Sequence, residues 1–344
     1  MSRNSYSNPK LYIEDKLIPE CLNANISFPG KSQVSKLSAT IMNPDIEEAA
    51  LFGKTVTYYM NYGSDDVVPI FRGYITNVSG SETNIKISAV DIRGYLTVDS
   101  KKITLSDKNN YDGFTLGQFL KHYIDKFINK DKVYIGTERI NDTDPAITLS
   151  KKRGTFKVYD LVKKNLSEAL DEKDDNEPLD YNIGVLHDED KSYVTFRKKK
   201  RLDDHPSMNF SKSDGIIDIK YKERPRKFVA SLKDRNFTYG SNPSGPFNIV
   251  VEEQPDDTPE DLRERARKKI LKELNNNVSI TLTASKGHYI NPGSIVYINT
   301  DETLVAGPQR VVSKTITINN NAVALTLVLN KEPVEVSEYL NPNI

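Results

Sequence analysis

The chain has 344 residues, and its 48 Lys and Arg are matched by 48 Asp and Glu. That length suits roughly two domains, with three small ones also within range, and the 37% apolar fraction falls below the usual ~45–50%, so the cores should be modest. No stretch approaches the ~20 apolar residues of a membrane helix, the single cysteine excludes an internal disulfide framework and a Cys-based zinc site, and the zero balance argues against a dedicated nucleic-acid binder, whose domain is expected to be basic.

The first ~100 residues read as β structure. Residues 34–42, 55–62, 71–78 and 83–90 are rich in β-branched and aromatic side chains, with Ser79-Gly80-Ser81 as a turn. Five or six short strands of this kind suggest a small barrel or sandwich, with one short helical turn over residues 45–52. The middle changes character. Thr115-Leu116-Gly117-Gln118 has the capping-box form, and Leu116, Phe119, Leu120, Tyr123, Ile124, Phe127 and Ile128 then recur at helical spacing. A second helix is expected from about Lys157 to Leu170. The acidic stretch 171–177 reads as a loop, and residues 181–186 and 193–197 flank a hairpin. The last third returns to strands at 215–221, 228–232, 278–283, 294–299, 311–318 and 323–329. Thr258-Pro259-Glu260-Asp261 opens a helix there, with a cap, a first-position Pro and acids in the first turn. Leu262, Ala266, Ile270 and Leu274 mark its buried face, and Asn319-Asn320-Asn321 joins the last two strands. The order is β, then α+β, then β with one helix.

The search for chemistry returns little. No phosphate-binding Gly-rich loop, dinucleotide fingerprint or two-His zinc helix is present, and no nucleophile elbow. His122, His187, His205 and His288 are scattered. His187-Asp188-Glu189-Asp190 and Asp203-Asp204-His205 contain metal-ligating residue types, but Asp is also the ordinary choice in turns, and a solvated hairpin and loop is the reading adopted. Cys21 has no nucleophile signature around it and reads as a small buried hydrophobe. Arg197-Lys198-Lys199-Lys200-Arg201 is a basic run that suits an exposed strand end, with an acidic protein partner as the alternative. Asn-x-Ser/Thr triplets such as Asn77-Val78-Ser79 follow from an Asn-rich β sequence. The polar stretch from Met1 to Lys10 has no apolar h-region, so no secretory signal is expected. No catalytic, cofactor-binding or metal-ligating residue is assigned, and no cofactor is expected.

Four phrases, in this order, carry a resemblance. Residues 88–96, Ser-Ala-Val-Asp-Ile-Arg-Gly-Tyr-Leu, look like a last barrel strand running into its exit turn. Phe114 to Phe127 looks like the helix opening an inserted domain, and Val185 to Arg197 like the hairpin closing it. Arg265 to Asn277, followed by Ile280-Thr281-Leu282 and Ile290-Asn291-Pro292-Gly293-Ser294-Ile295-Val296, looks like the helix, strand and Pro-Gly turn of a second barrel. Over about 320 residues the chain resembles the tail hub, or baseplate hub, proteins of bacteriophages and contractile injection systems. It departs from hub polypeptides that carry an appended lysozyme, peptidase or spike segment, since none is seen after Leu329.

The resemblance implies a mainly β fold with α+β: two tube-like β-barrel domains flanking a small inserted α+β domain. The expected divisions are 1–98 for the first barrel, 99–210 for the insert, 211–330 for the second barrel with helix 258–275, and a tail at 331–344. It further implies a structural subunit, not an enzyme, in the virion tail baseplate, made in the host cytoplasm. Three copies would form a pseudo-sixfold ring joining a hexameric tail tube to a trimeric spike or central fibre. Two barrels per subunit turn a threefold object into a sixfold surface. Other baseplate proteins and the tape measure protein are further expected partners, and DNA would pass through the lumen without specific binding. Polar side chains such as Thr57, Thr317 and Thr326 are expected on the lumen, which should be neutral to mildly acidic or rich in Asn and Thr. Two other functions fit the composition: a carbohydrate- or receptor-binding fibre or adhesin module, and a cell-wall hydrolase, for which no acid pair is defined by spacing.

Overall fold

A computed structural model describes residues 9–19, 21–29, 34–42, 48–61, 67–81, 83–96, 102–105, 111, 114–129, 135–141, 154–158, 160–162, 181–188, 191–198, 205–213, 215–223, 229–232, 238–240, 248–251, 258–263, 266, 278–301, 305–319 and 322–330. The described residues are mainly strand, and most pairings are antiparallel. The chain divides into two compact units. Unit 1 takes Met1–Lys200, Ser285–Gly293 and Ser313–Thr326; unit 2 takes Arg201–Ala284, Ser294–Val312 and Leu327–Ile344.

Unit 1 is built on a curled antiparallel sheet. Its strands are β1 (Lys10–Ile13), β2 (Lys16–Ile18), β3 (Cys21–Phe28), β4 (Lys36–Met42), β5 (Thr55–Asn61), β6 (Val67–Gly80) and β7 (Asn84–Asp91). The second half of β20 (Gly307–Asn319) joins them, and the order is β20-β3-β4-β7-β6-β5-β1-β2. Alternation, interrupted at bulges, sends one face inward. Leu11, Ala24, Ile26, Leu37, Ala39, Ile41, Val56, Tyr58, Phe71, Ile75, Ile87 and Ala89 on that face are all essentially inaccessible. Bulges at Cys21/Asn23, Tyr58/Tyr59 and Ile75/Asn77 raise the local twist and bend the strands. β6 runs from Val67 to Gly80, past the Phe71 start and the Val78 end read from sequence. Gly73 is required where β6 meets β7, because a Cβ there would lie 2.0 Å from the Val90 carbonyl oxygen. The short helical turn appears as α1 (Glu48–Leu51), and the first three strands, β1 to β3, are additions to the sequence reading.

The middle segment, also in unit 1, has its own apolar cluster. β8 (Lys102–Leu105) pairs with β10 (Gly154–Lys157), and the hairpin of β11 (Tyr181–His187) and β12 (Ser192–Lys198) takes β9 (Ile135–Gly136) in parallel. α2 (Leu116–Tyr123) starts at the expected capping box: Gln118 N–H donates to Thr115 Oγ1 at 3.1 Å and Thr115 N–H to Gln118 Oε1 at 2.9 Å. It continues as a π-turn over Ile124–Ile128, closed by Asn129, whose amide bonds both Asp125 and the backbone of Ile135. Leu116, Phe119, Leu120 and Tyr123 share one buried apolar cluster with Val162, Ile183 and Phe196. The second helix differs from its expected start. Lys157 ends a strand, Val158 and residues 160–162 are helical, and residues 163–170 lie outside the described set.

In unit 2, β13 (Met208–Ser211) runs parallel to β19 (Ile295–Asn299), which pairs with the first half of β20. β14 (Ile216–Glu223) pairs with β18 (Val278–Ala284). β15 (Val229–Leu232), β16 (Thr238–Gly240) and β17 (Asn248–Val251) form a small sheet. β21 (Ala322–Asn330) divides between the units, as β20 does. Thr258 caps a helical start: Asp261 N–H donates to Thr258 Oγ1 at 3.2 Å, Asp261 accepts in return, and Leu262 and Ala266 are buried. Ile270 and Leu274 lie outside the described residues, as do Asn320 and Asn321.

Candidate functional site

Period-2 geometry that buries one face of the unit 1 sheet places the alternate residues on the other. The registers line these up in cross-strand rows. Thr317, Asn25, Ser38, Ser88 and Asn77 form one continuous row over five strands, and Asn25 Nδ2 donates to Thr317 Oγ1 at 3.3 Å. The next row along holds Asn319, Asn23, Thr40, Lys86 and Ser79, and the row on the other side holds Thr315, Ser27, Lys36, Val90 and Tyr74. The three rows make one polar face that runs over five strands. Thr317 lies at the β20 end of the first of these rows. Thr57 lies on the same face, where Arg72 Nε donates to its Oγ1 at 3.4 Å. Thr326 sits half-buried on β21.

At one end of the sheet the exit turn Asp91–Leu96 builds a buried polar joint. Asp91, Arg93 and Ser35 are each at most 5% exposed. The Asp91 carboxylate accepts from Ser35 N–H at 2.8 Å, from Arg93 N–H at 2.9 Å, and from the Arg93 guanidinium. That guanidinium also donates to Ser35 Oγ at 2.7 Å and to the Ile183 carbonyl on β11 at 2.8 Å. Four residues on, His187 makes a second tie from β11: its Nε2 accepts from Arg72 N–H on β6 at 3.3 Å, and its Nδ1 bonds Ser192 Oγ at 2.8 Å. Burial, with Arg72, Arg93 and Lys314 nearby, holds the His187 imidazole neutral down to about 3, against the opposing pull of Asp91.

Lys314 on β20 points inward, 3% exposed. Its Nζ donates to the His288 carbonyl at 2.9 Å and to Asn291 Oδ1 at 3.3 Å, and lies 4.2 Å from the centre of the Phe28 ring. Burial brings its value down to about 7. His288 is lowered to about 4, by burial first and by Lys314 second.

The sequence candidates fall as follows. Cys21 is half-buried, its Sγ donates to the Asn23 carbonyl at 3.5 Å, and burial pushes its thiol up to about 11, which leaves no reactive thiolate. His122 makes edge contacts with Tyr111 and Phe114. His205 is exposed. His187 is committed to the joint, and Glu189, Asp190, Asp203 and Asp204 lie outside the described residues, as do the side chains of 197–201. No cluster of three metal-ligating side chains occurs among the described residues. Sequence reasoning did not identify Asp91, Arg93 or Lys314 as functional. For Lys314 a signal existed, because it shares the inward parity of Ile316 and Ile318.

No protein-family model matches the chain, and no curated protein sequence does. Solved structures do. A tail protein from Neisseria meningitidis MC58 matches at 14% identity and TM-score 0.63, over 94% of this chain and 96% of its own. The 43 kDa tail protein of prophage MuSo2 from Shewanella oneidensis matches at 10% identity and TM-score 0.63, over 98% and 99%. A component of the E. coli type VI secretion system, itself structurally similar to the T4 bacteriophage tail proteins gp27 and gp5, matches at 11% identity and TM-score 0.60, over 96% and 78%. The chain thus has the mainly β fold of phage tail and type VI secretion proteins, as its resemblance to the baseplate hub family implied.

Proposed function

We propose that this protein is a structural subunit of a phage-type tail baseplate, the hub between tail tube and spike. The observation that carries the reading is the broad face of Ser, Thr and Asn rows on a curled sheet whose opposite face is a mainly apolar core, within a tail-protein fold. A wall built this way presents mostly short polar side chains to a channel and keeps its rigidity in the core behind them.

In this reading three copies close into a pseudo-sixfold ring. Residues 1–98 and 211–330 supply tube-like barrels, and residues 99–210 form the α+β insert, whose separate apolar cluster supports treating it as a module. One side of the ring receives the hexameric tail tube and the other the trimeric spike or central fibre. Other baseplate proteins and the tape measure protein are further partners, and DNA passes through the lumen. The role is mechanical and not catalytic, and its place is the virion tail. Mass measurement in solution and in assembled particles, together with electron microscopy, tests this. Three copies around a central hole are expected, and a monomer in both settings would refute the ring.

A further inference from the structure

We infer that the polar face of the unit 1 sheet is a weak, sequence-independent docking surface for the phosphate backbone of duplex DNA, with Lys36 and Lys86 making the contacts. The inference rests on the hub reading, in which DNA passes this face, and it names the chemistry of that passage.

The chain as a whole is balanced at 48 charges of each sign. This face is not. On β20, β3, β4 and β7 its described side chains are Thr315, Thr317 and Asn319; Asn23, Asn25 and Ser27; Lys36, Ser38, Thr40 and Met42; and Asn84, Lys86, Ser88 and Val90. Two are cations and none is a carboxylate. The acid at the end of β7, Asp91, points to the buried side and is engaged by Arg93. Lys36 and Lys86 are both exposed, and among the described side chains of these four strands no carboxylate on the face competes with a phosphate for either.

Spacing sets the strength. Lys86 stands opposite Thr40, four residues along β4 from Lys36 and one strand over, which is roughly 14 Å by strand geometry. Duplex DNA carries one charge per ~1.7 Å of axis, so two cations so far apart neutralise few phosphates. Between them lie only short Ser, Thr and Asn side chains, which exchange hydrogen bonds between phosphate and water without fixing a position. No aromatic side chain stands on this face of β20, β3, β4 or β7, and Tyr74, which ends the Lys36 row on β6, is engaged by the Tyr95 ring at 4.4 Å, so the described face offers no open platform for unpaired bases, and a duplex is the fitting polyanion. The result is attraction without capture.

The test is fluorescence anisotropy of a short labelled duplex titrated with full-length protein. It compares wild type, the Lys36→Gln/Lys86→Gln double variant, and a Lys220→Gln control on β14, with electron microscopy of each protein. Two phosphate contacts give a salt slope near −1.8, so wild-type affinity should fall about tenfold from ~50 to ~200 mM salt. The double variant should lose most of that affinity and slope, and the control should keep both. Binding unchanged in the double variant, or absent in wild type at low salt, overturns the inference. Equal binding of polyglutamate overturns the assignment to DNA. Rings that form in every variant without the DNA effect sink this inference alone, whereas a DNA effect on a protein that forms no ring sinks the hub reading and leaves the face assignment standing.

Discussion

The joint around Arg93 makes the most exacting prediction. Arg93→Met removes the guanidinium that engages Asp91, Ser35 Oγ and the Ile183 carbonyl. Asp91 then keeps its two backbone donors but remains a buried carboxylate without its countercharge. Removing one member of a buried pair costs about 3–5 kcal/mol, since it leaves the other uncompensated. Asp91→Asn should cost a similar amount, because it strands the guanidinium instead. The double variant strands neither charge, so its cost should fall short of the sum of the two singles by about 2–3 kcal/mol. Against a typical total of about 5–15 kcal/mol each single change is severe. The protein has 18 Tyr and no Trp, so urea unfolding can be followed by tyrosine emission alongside far-UV dichroism. Hydrogen exchange of β11 supplies a second readout, because loss of the Ile183 tie should raise exchange there first. If the two single costs add within ~0.5 kcal/mol, the cluster is not a cooperative unit and the reasoning fails.

Three further predictions follow from the same structure. Lys314, brought from 10.5 to about 7, stays neutral in the fold while the unfolded chain takes up a proton, so wild-type stability falls as pH drops from 10.5 to 7 and is then level. Lys314→Met lacks that penalty of at most ~5 kcal/mol, so its urea midpoint should rise relative to wild type from pH 10 to pH 7. A constant difference would contradict this. His187, lowered from 6.5 to about 3, destabilises the fold as pH falls through that window, and His187→Gln should flatten the decline in urea midpoint between pH 6.5 and 4; an unchanged slope would show the imidazole is not buried neutral. Gly73→Ala should prevent normal pairing of β6 with β7, whereas Gly307→Ala, which has open space around it and only a positive φ of 102°, should cost about 1–3 kcal/mol. Melting temperatures of the two variants check the ranking, and equal losses would refute it.

How much the sequence disclosed depended on range. The α2 cap was legible because Thr115 and Gln118 act within one turn, and the strands from Thr55 to Asp91 were legible from β-branched and aromatic content. β3 was missed because Asn23, Asn25 and Ser27 dilute its pattern, and those same residues later form the polar rows. The rows themselves cannot be read from one strand, because they exist only once five strands take a register. The joint was invisible for the same reason. Arg93 finds Ser35 58 residues back and Ile183 90 residues on, and nothing local announces either partner. The start of the second helix was misplaced because Gly154–Lys157 is held as strand by β8, a tertiary contact that overrides local helical spacing.

The alternation of the unit 1 sheet bears on how far such proteins can diverge. Most inward positions ask for an apolar side chain of suitable volume, and most outward ones for a short polar group. Ser, Thr and Asn can therefore exchange along a row, and Ile, Leu and Val behind it, without altering a hydrogen bond of the ladder. Two chains could share this sheet and agree at few aligned positions, which is the relation this one has to tail proteins 10–14% identical to it. The exceptions are places where a single atom decides the outcome: the missing Cβ of Gly73, the carboxylate of Asp91 and the forked donors of Arg93. Those few residues, and not the long polar and apolar tracts, are where a signature of this architecture would be written.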